Sequence, residues 1–204
     1  MIEVAQDDGL WRVTLNRPDK ANSLTRAMLE EVAQIANAAR GQARAFVLTG
    51  TGDRVFSAGA DLDEARAGLA TDPVWEEVSG AIARLDCLSI AALNGTLAGG
   101  AFGMALACDL RIAVPAARFF YPVAKLGFLP QPSDPGRMVA LMGPARTRMI
   151  LLAGARLTAD EALTYGLIDR IVPGGDLMAV ATALAADALA GDAAVMRGIK
   201  AACG

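Results

Sequence analysis

Two runs of small residues stand out: Phe56-Ser57-Ala58-Gly59-Ala60-Asp61-Leu62 and Asn94-Gly95-Thr96-Leu97-Ala98-Gly99-Gly100-Ala101-Phe102-Gly103. Neither contains a nucleophile or a metal ligand. Each follows a predicted strand and leads into a predicted helix. What they offer is bare backbone, because Gly and Ala let another group come close to a peptide N–H. The first turn of a helix adds unpaired N–H groups and a partial positive charge. Two such amides, converging from separate segments, would stabilise negative charge developing on a carbonyl oxygen. The chain has no histidine. That removes the commonest general base, the usual zinc ligand and every Ser-His or Cys-His nucleophile arrangement.

The elements that must hold these turns are legible in outline. Ile2–Gln6 and Leu10–Leu15 predict two strands joined by an Asp8-Gly9 hairpin turn. Apolar residues at helical spacing from Leu24 to Ala39 predict a helix over Ser23–Arg40. Ala45–Thr49, Ser89–Leu93, Leu110–Val114 and Ile168–Val172 predict further strands, with Ala116–Tyr121 as an extended edge. Asp61 is a candidate cap for a short helix. Gly68–Asp72 predicts a mobile surface connection, and Pro73 starts a helix that ends near Asp86. Gly99–Cys108 predicts an apolar helix, and Leu129–Pro135 a proline-stiffened loop. Helices follow over Gly136–Met142, Arg146–Ala153 and Leu177–Leu189, and Thr158-Ala159-Asp160-Glu161 forms a capping box. The rhythm of strand, strand, helix differs from the strict alternation of a doubly wound sheet. It predicts one α/β domain over residues 1–204.

Composition narrows the function. A chain of 204 residues can bury a sizeable core. Its hydrophobic fraction of 54% and mean hydropathy of +0.37 are high, and much of the excess is Ala. No apolar run reaches the ~18–20 residues needed to span a bilayer. Met1-Ile2-Glu3-Val4 lacks the basic and apolar regions of a signal peptide, so a cytoplasmic, oligomeric protein is expected. A net charge of −3 argues against nucleic acid as a partner. Cys87, Cys108 and Cys203 are odd in number and widely spaced, which argues against a disulfide framework.

Several stretches resemble the crotonase superfamily, also called the enoyl-CoA hydratase/isomerase family. They are Leu15-Asn16-Arg17-Pro18, the two small-residue turns, Ala91-Ala92-Leu93-Asn94-Gly95 and Ala107-Cys108-Asp109-Leu110-Arg111-Ile112-Ala113. Leu126-Gly127, Pro130, Leu151-Leu152-Ala153-Gly154 and Ala162 through Val172 continue the match in the family's order. The resemblance implies a spiral of strand–strand–helix turns and a homotrimer or dimer of trimers. It implies an acyl-CoA substrate, with CoA present only as part of the thioester and no permanently bound cofactor or metal. By the same resemblance, the N–H groups of Ala60 and Gly100 form an oxyanion hole for an enolate. Ala58, Gly59, Asp61, Leu62 and Gly99 surround it. Gly103 and Val123 stand where hydratases of the family carry their two glutamates, and Gln131 stands where some members carry a catalytic aspartate. The two-glutamate addition of water is therefore not expected. Relatives usually continue beyond the position of Gly204 into helices that help close the acyl pocket.

The remaining acid/base candidates each have two readings. Asp134 is either a helix cap or a relocated general acid or base. Glu64 is either a solvated helix residue or an acidic group facing the acyl chain. Tyr121 offers a phenol to the substrate or packs as an edge-strand aromatic; Trp11 and Trp75 read as structural. The expected activity is enolate-forming chemistry on an acyl-CoA, by decarboxylation, hydrolysis or isomerisation. The alternative is a non-catalytic acyl-CoA binder or an assembly paralogue.

Overall fold

The computed structural model describes residues 1–203. The chain opens with the predicted hairpin, β1 (Ile2–Asp7) and β2 (Leu10–Leu15), paired antiparallel with Asp7 opposite Leu10. Asp8 and Gly9 both adopt positive φ, 44° and 87°, as a tight hairpin turn of this kind requires. α1 (Arg26–Ala39) follows, capped by Thr25, whose Oγ1 accepts from the Met28 N–H at 3.2 Å. The helix is shorter than its apolar spacing predicts, because Leu24 instead bridges to Ala60 as a strand residue.

From β3 the chain winds in circuits. β3 (Ala45–Gly50) passes to β4 (Val55–Ser57), then to α2 (Leu62–Arg66) and α3 (Val74–Ala83). β5 (Leu88–Leu93) passes to β6 (Thr96–Ala98), a 3₁₀ turn at Gly99–Ala101 and α4 (Phe102–Ala107). β7 (Leu110–Ala113) passes to β8 (Arg118–Phe120), α5 (Val123–Leu126) and α6 (Asp134–Leu151). β9 (Leu157–Thr158), α7 (Ala159–Tyr165), β10 (Arg170–Ile171), α8 (Leu177–Leu184), α9 (Ala186–Ala190) and α10 (Ala193–Cys203) complete it.

Each circuit contributes one strand to each of two sheets. One sheet has the order β1-β2-β3-β5-β7-β10 and the other β4-β6-β8-β9. Within the circuits the pairings are parallel, so β3, β5, β7 and β4, β6, β8 advance one strand per turn. β3 reads AFVLTG and is buried along its whole length, as a strand covered on both faces must be. Phe46, Phe56, Phe102 and Phe119 are fully buried, together with Leu15, Leu24, Met28 and Leu29.

The structure corrects several expectations. β4 and β6 are three residues each, too short to show an alternating pattern. The Gly68–Asp72 segment, expected to be a mobile connection, is a packed 3₁₀ turn: Leu69 is buried, its carbonyl accepts from Trp75 Nε1 at 2.7 Å, and Asp72 pairs with Arg26. The two helices expected over Gly136–Met142 and Arg146–Ala153 do both form within α6, which breaks between them at Gly143 (φ 78°, ψ 167°), just before Pro144. The predicted Leu177–Leu189 helix breaks at Ala185, and α10 is an addition. Lys200 on α10 reaches back to donate to the Cys87 carbonyl and to Asp109 Oδ2, both at 2.7 Å. Among the described residues, no single helix is long and apolar enough to cross a membrane.

Candidate active site

The first small-residue turn is held from below by the loop that precedes α1. Ala58 N–H donates to the Ala21 carbonyl (3.0 Å), and Gly59 N–H to Ser57 Oγ (3.2 Å). Leu24 N–H donates to the Gly59 carbonyl and Asp61 N–H to the Leu24 carbonyl, each at 2.8 Å. Arg17, from the Leu-Asn-Arg-Pro stretch, ties the arrangement together by donating to Asp61 Oδ2 at 2.7 Å and to Ser23. That ion pair and the amides of Asp63 and Glu64 hold the Asp61 carboxyl below its usual range. Asp61 caps α2 as predicted. Among these neighbours the Ala60 N–H is the exception: it donates to no acceptor among the described residues.

The second turn lies directly against the first. A Cβ placed on Gly59 (φ 91°) would sit 3.0 Å from the Ala98 carbonyl oxygen, 3.3 Å from Gly99 Cα and 3.5 Å from Gly100 N. Only glycine permits this approach with that backbone conformation. Gly99 also has positive φ, 58°, and starts the 3₁₀ turn. A Cβ on Gly100 would meet the Trp75 ring at 3.1 Å. Like that of Ala60, the Gly100 N–H donates to no protein acceptor among the described residues.

Both residues line one cavity of about 160 Å³. Its wall draws on three circuits: Ala58, Ala60, Leu62 and Trp75 from the first, Ala98, Gly99 and Gly100 from the second, and Phe120, Tyr121, Pro122, Val123, Leu126, Phe128, Leu129 and Gln131 from the third. No charged side chain is among the lining residues. Of the polar ones, Trp75 is bonded to the Leu69 carbonyl and Gln131 Nε2 to the Ala70 carbonyl at 3.2 Å. Tyr121 is buried, stacks on Phe102 with ring centroids 5.3 Å apart, and donates its hydroxyl to Asp134 Oδ2 at 2.9 Å. The Gln131 N–H donates to the same hydroxyl oxygen at 3.4 Å.

Asp134 is not the cap of its helix. Ser133 occupies the cap position, and Asp134 begins α6 with its side chain turned inward and fully buried. Among the described residues its Oδ1 has no hydrogen-bond partner, and neither does Arg137 Nη1, 4.0 Å away. Burial pushes the Asp134 carboxyl up to about 7, against the opposing pull of the Tyr121 hydrogen bond and the Arg137 charge; Glu76 adds to the rise. The Tyr121 phenol is pushed up as well, first by burial and then by the Asp134 charge. Gly103 lies on buried α4 outside the cavity wall, and a Cβ there would come within 3.1 Å of Asp134 Oδ1.

Val123 and Gln131 line the cavity, whereas Glu64 does not: its Oε2 accepts from the Arg26 N–H at 2.7 Å, at the start of α1. Asp109, between α4 and β7, accepts from Ser89 and Lys200 far from the cavity. Sequence reasoning missed the place of Trp75 in the wall. Nothing near it in sequence points there, because its neighbour Gly100 comes from the next circuit.

The enoyl-CoA hydratase/isomerase family model matches residues 5–203. The chain belongs to the enoyl-CoA hydratase/isomerase family. Among curated relatives, YngF of Bacillus subtilis is 39% identical over 194 residues, covering 91% of this chain and 74% of YngF. Among solved structures, an enoyl-CoA hydratase from Bacillus anthracis superposes with a TM-score of 0.91 at 32% identity, over 99% of this chain and 81% of that one. A Thermobifida fusca structure determined in complex with CoA gives a TM-score of 0.88 at 32% identity, over 98% and 82% of the two chains. The two-sheet spiral is therefore the fold of this enoyl-CoA hydratase/isomerase family member, as the sequence motifs imply.

Proposed function

We propose that this protein is an acyl-CoA enzyme that stabilises an enolate with the backbone N–H groups of Ala60 and Gly100. One observation carries the reading: two amides from separate circuits, both without protein acceptors, line the same cavity on turns in van der Waals contact. A thioester carbonyl oxygen accepting from both would gain most as it becomes an oxyanion, because the donors are fixed and their wall is apolar. The thioester class is supported by family membership and by the CoA-bound structural relative.

The cavity also bears on the acyl group. With no charged side chain in the wall, it suits a neutral, apolar acyl chain lying against Leu62, Val123 and Trp75. The positions of Gly103 and Val123 supply no carboxylate, so addition of water by a glutamate pair is not the chemistry proposed.

Difference infrared spectroscopy of bound butyryl-CoA, ¹³C-labelled at the carbonyl, tests the amide pair. Its carbonyl stretch is expected to fall on binding, and Ala60→Pro, which removes one donor, is expected to reverse much of that fall. Binding without any displacement of the stretch would overturn the reading. In a turnover assay, loss of one such donor typically costs ~10²–10³-fold in rate.

A further inference from the structure

We propose that Tyr121 is the catalytic residue that exchanges a proton with the carbon beside the thioester carbonyl, and that Asp134 is the positioning residue behind it that takes and returns the phenol's proton. The inference rests on the amide-pair reading of the cavity. Three observations lead to it.

First, the two other polar lining residues, Trp75 and Gln131, already donate to backbone carbonyls, which leaves Tyr121 as the lining residue with a titratable side chain. Second, that hydroxyl has a carboxylate as its acceptor, Asp134 Oδ2 at 2.9 Å. Third, Asp134 is fully buried, yet its other oxygen has no hydrogen-bond partner among the described residues, only the Arg137 guanidinium 4.0 Å away. Such a group is costly to keep, and an asparagine would hold the phenol with no charge to desolvate. The carboxylate is explained if it must change protonation state. Three titratable groups face it: Tyr121 from the segment after β8, Arg137 from its own helix and Glu76 from α3. Together they and burial leave the carboxyl near 7, where both states are populated at neutral pH. The phenol is shifted the opposite way from a resident phenolate, so it passes a proton on without storing one.

The step balances within these groups. The C–H bond beside the carbonyl breaks and its proton forms a new O–H on Tyr121, while the original phenolic proton moves to Asp134 Oδ2. The C–H electron pair enters the enolate, whose charge collects on the oxygen facing Ala60 and Gly100. Running the transfer backwards delivers a proton to carbon.

Acetoacetyl-CoA is the probe, because its enolate absorbs in the near ultraviolet and forms without a completed reaction. Stopped-flow mixing is expected to show an enolate band whose rate of appearance rises with pH through about 7. Tyr121→Phe and Asp134→Asn are each expected to slow it by at least ~100-fold. Half-saturation and circular dichroism should stay close to wild type, and the pH rise should vanish in Asp134→Asn. Should either variant misfold, the other still decides. A rate in either folded variant within about five-fold of wild type overturns the proposal, as does wild-type binding with no band. If the band is missing while the butyryl-CoA carbonyl stretch is displaced, the relay falls and the amide pair stands. If the stretch is not displaced, the amide pair itself has failed.

Discussion

Asp134 shows how one buried carboxylate leaves a trace in stability as well as chemistry. Its folded value near 7 lies above the ordinary carboxylate range, so between about pH 4 and 7 the folded state holds a proton that the unfolded chain has released. Linkage then makes its contribution most favourable at acid pH and removes it as pH rises through 7. Replacing the group by Asn abolishes that dependence. Asp134→Asn is expected to be the more stable protein at pH 8, by about 2–4 kcal/mol, with the advantage shrinking toward pH 4. Urea denaturation of both proteins at pH 5 and pH 8 measures it, and an advantage independent of pH would contradict the account. The sequence singles out Asp134 but leaves a helix cap open beside a general acid or base. The choice depends on Tyr121 and Glu76, which meet it only through packing.

At the scale of elements, two asparagines join the sheets. Asn94 accepts from the Gly50 N–H at 3.0 Å and donates to the Gly52 and Val55 carbonyls at 2.9 and 3.3 Å. Asn22 donates to the Thr51 and Val55 carbonyls at 3.0 and 2.9 Å, and accepts from the Arg17 N–H. Between them they satisfy the loop from β3 to β4, which would otherwise bury bare backbone groups. Asn94→Ala takes this partner from the Gly50 N–H and the Gly52 carbonyl, with Asn22 still serving Val55, and is expected to cost roughly 2–4 kcal/mol in urea denaturation. Gly95 beside it is equally constrained, since a Cβ there would overlap the Arg54 carbonyl. Gly95→Ala is expected to lower the melting temperature by several degrees, read by circular dichroism.

These elements also mark what a sequence can reveal. The Asp8-Gly9 turn and the Thr158–Glu161 capping box are local, and both form: Glu161 N–H donates to Thr158 Oγ1 at 3.2 Å, and Thr158 N–H to Glu161 Oε2 at 2.8 Å. The two small-residue turns are legible because their composition permits only close backbone approach. β4 and β6 are not, because three residues carry no period. Asn94 and Trp75 are not either, since their partners stand far along the chain.

The whole molecule is closed by Arg111 and α10. The Arg111 guanidinium, buried beneath β7, donates to the carbonyls of Leu167 (3.0 Å), Cys108 (2.7 Å) and Asp109 (3.2 Å), and so ties α4 to the β10 end of the chain. Arg111→Met is expected to destabilise by about 3 kcal/mol or more, because carbonyls desolvated around a charge lose their donors. Chemical denaturation followed by Trp fluorescence would register it. Outside this closed core and the cavity wall, Leu152, Val195 and Ile199 are 53–72% exposed. With a mean hydropathy of +0.37, that surface is expected to be covered by further copies, and sedimentation should give a mass well above the 21.0 kDa of one chain.

Because its wall is assembled from three successive windings, the cavity beside Ala60 and Gly100 has no meaning in any fragment of the chain. β4, β6 and β8 must all have paired before Ala60 and Gly100 line one cavity, and those pairings join residues about 40 positions apart for β4 with β6 and 22 for β6 with β8. Recovery of ligand affinity on dilution from urea should thus coincide with the slowest refolding phase and show no earlier, partial gain. A CoA ester would then act as a fastener across the windings, rewarding only the chain that has wound to the end.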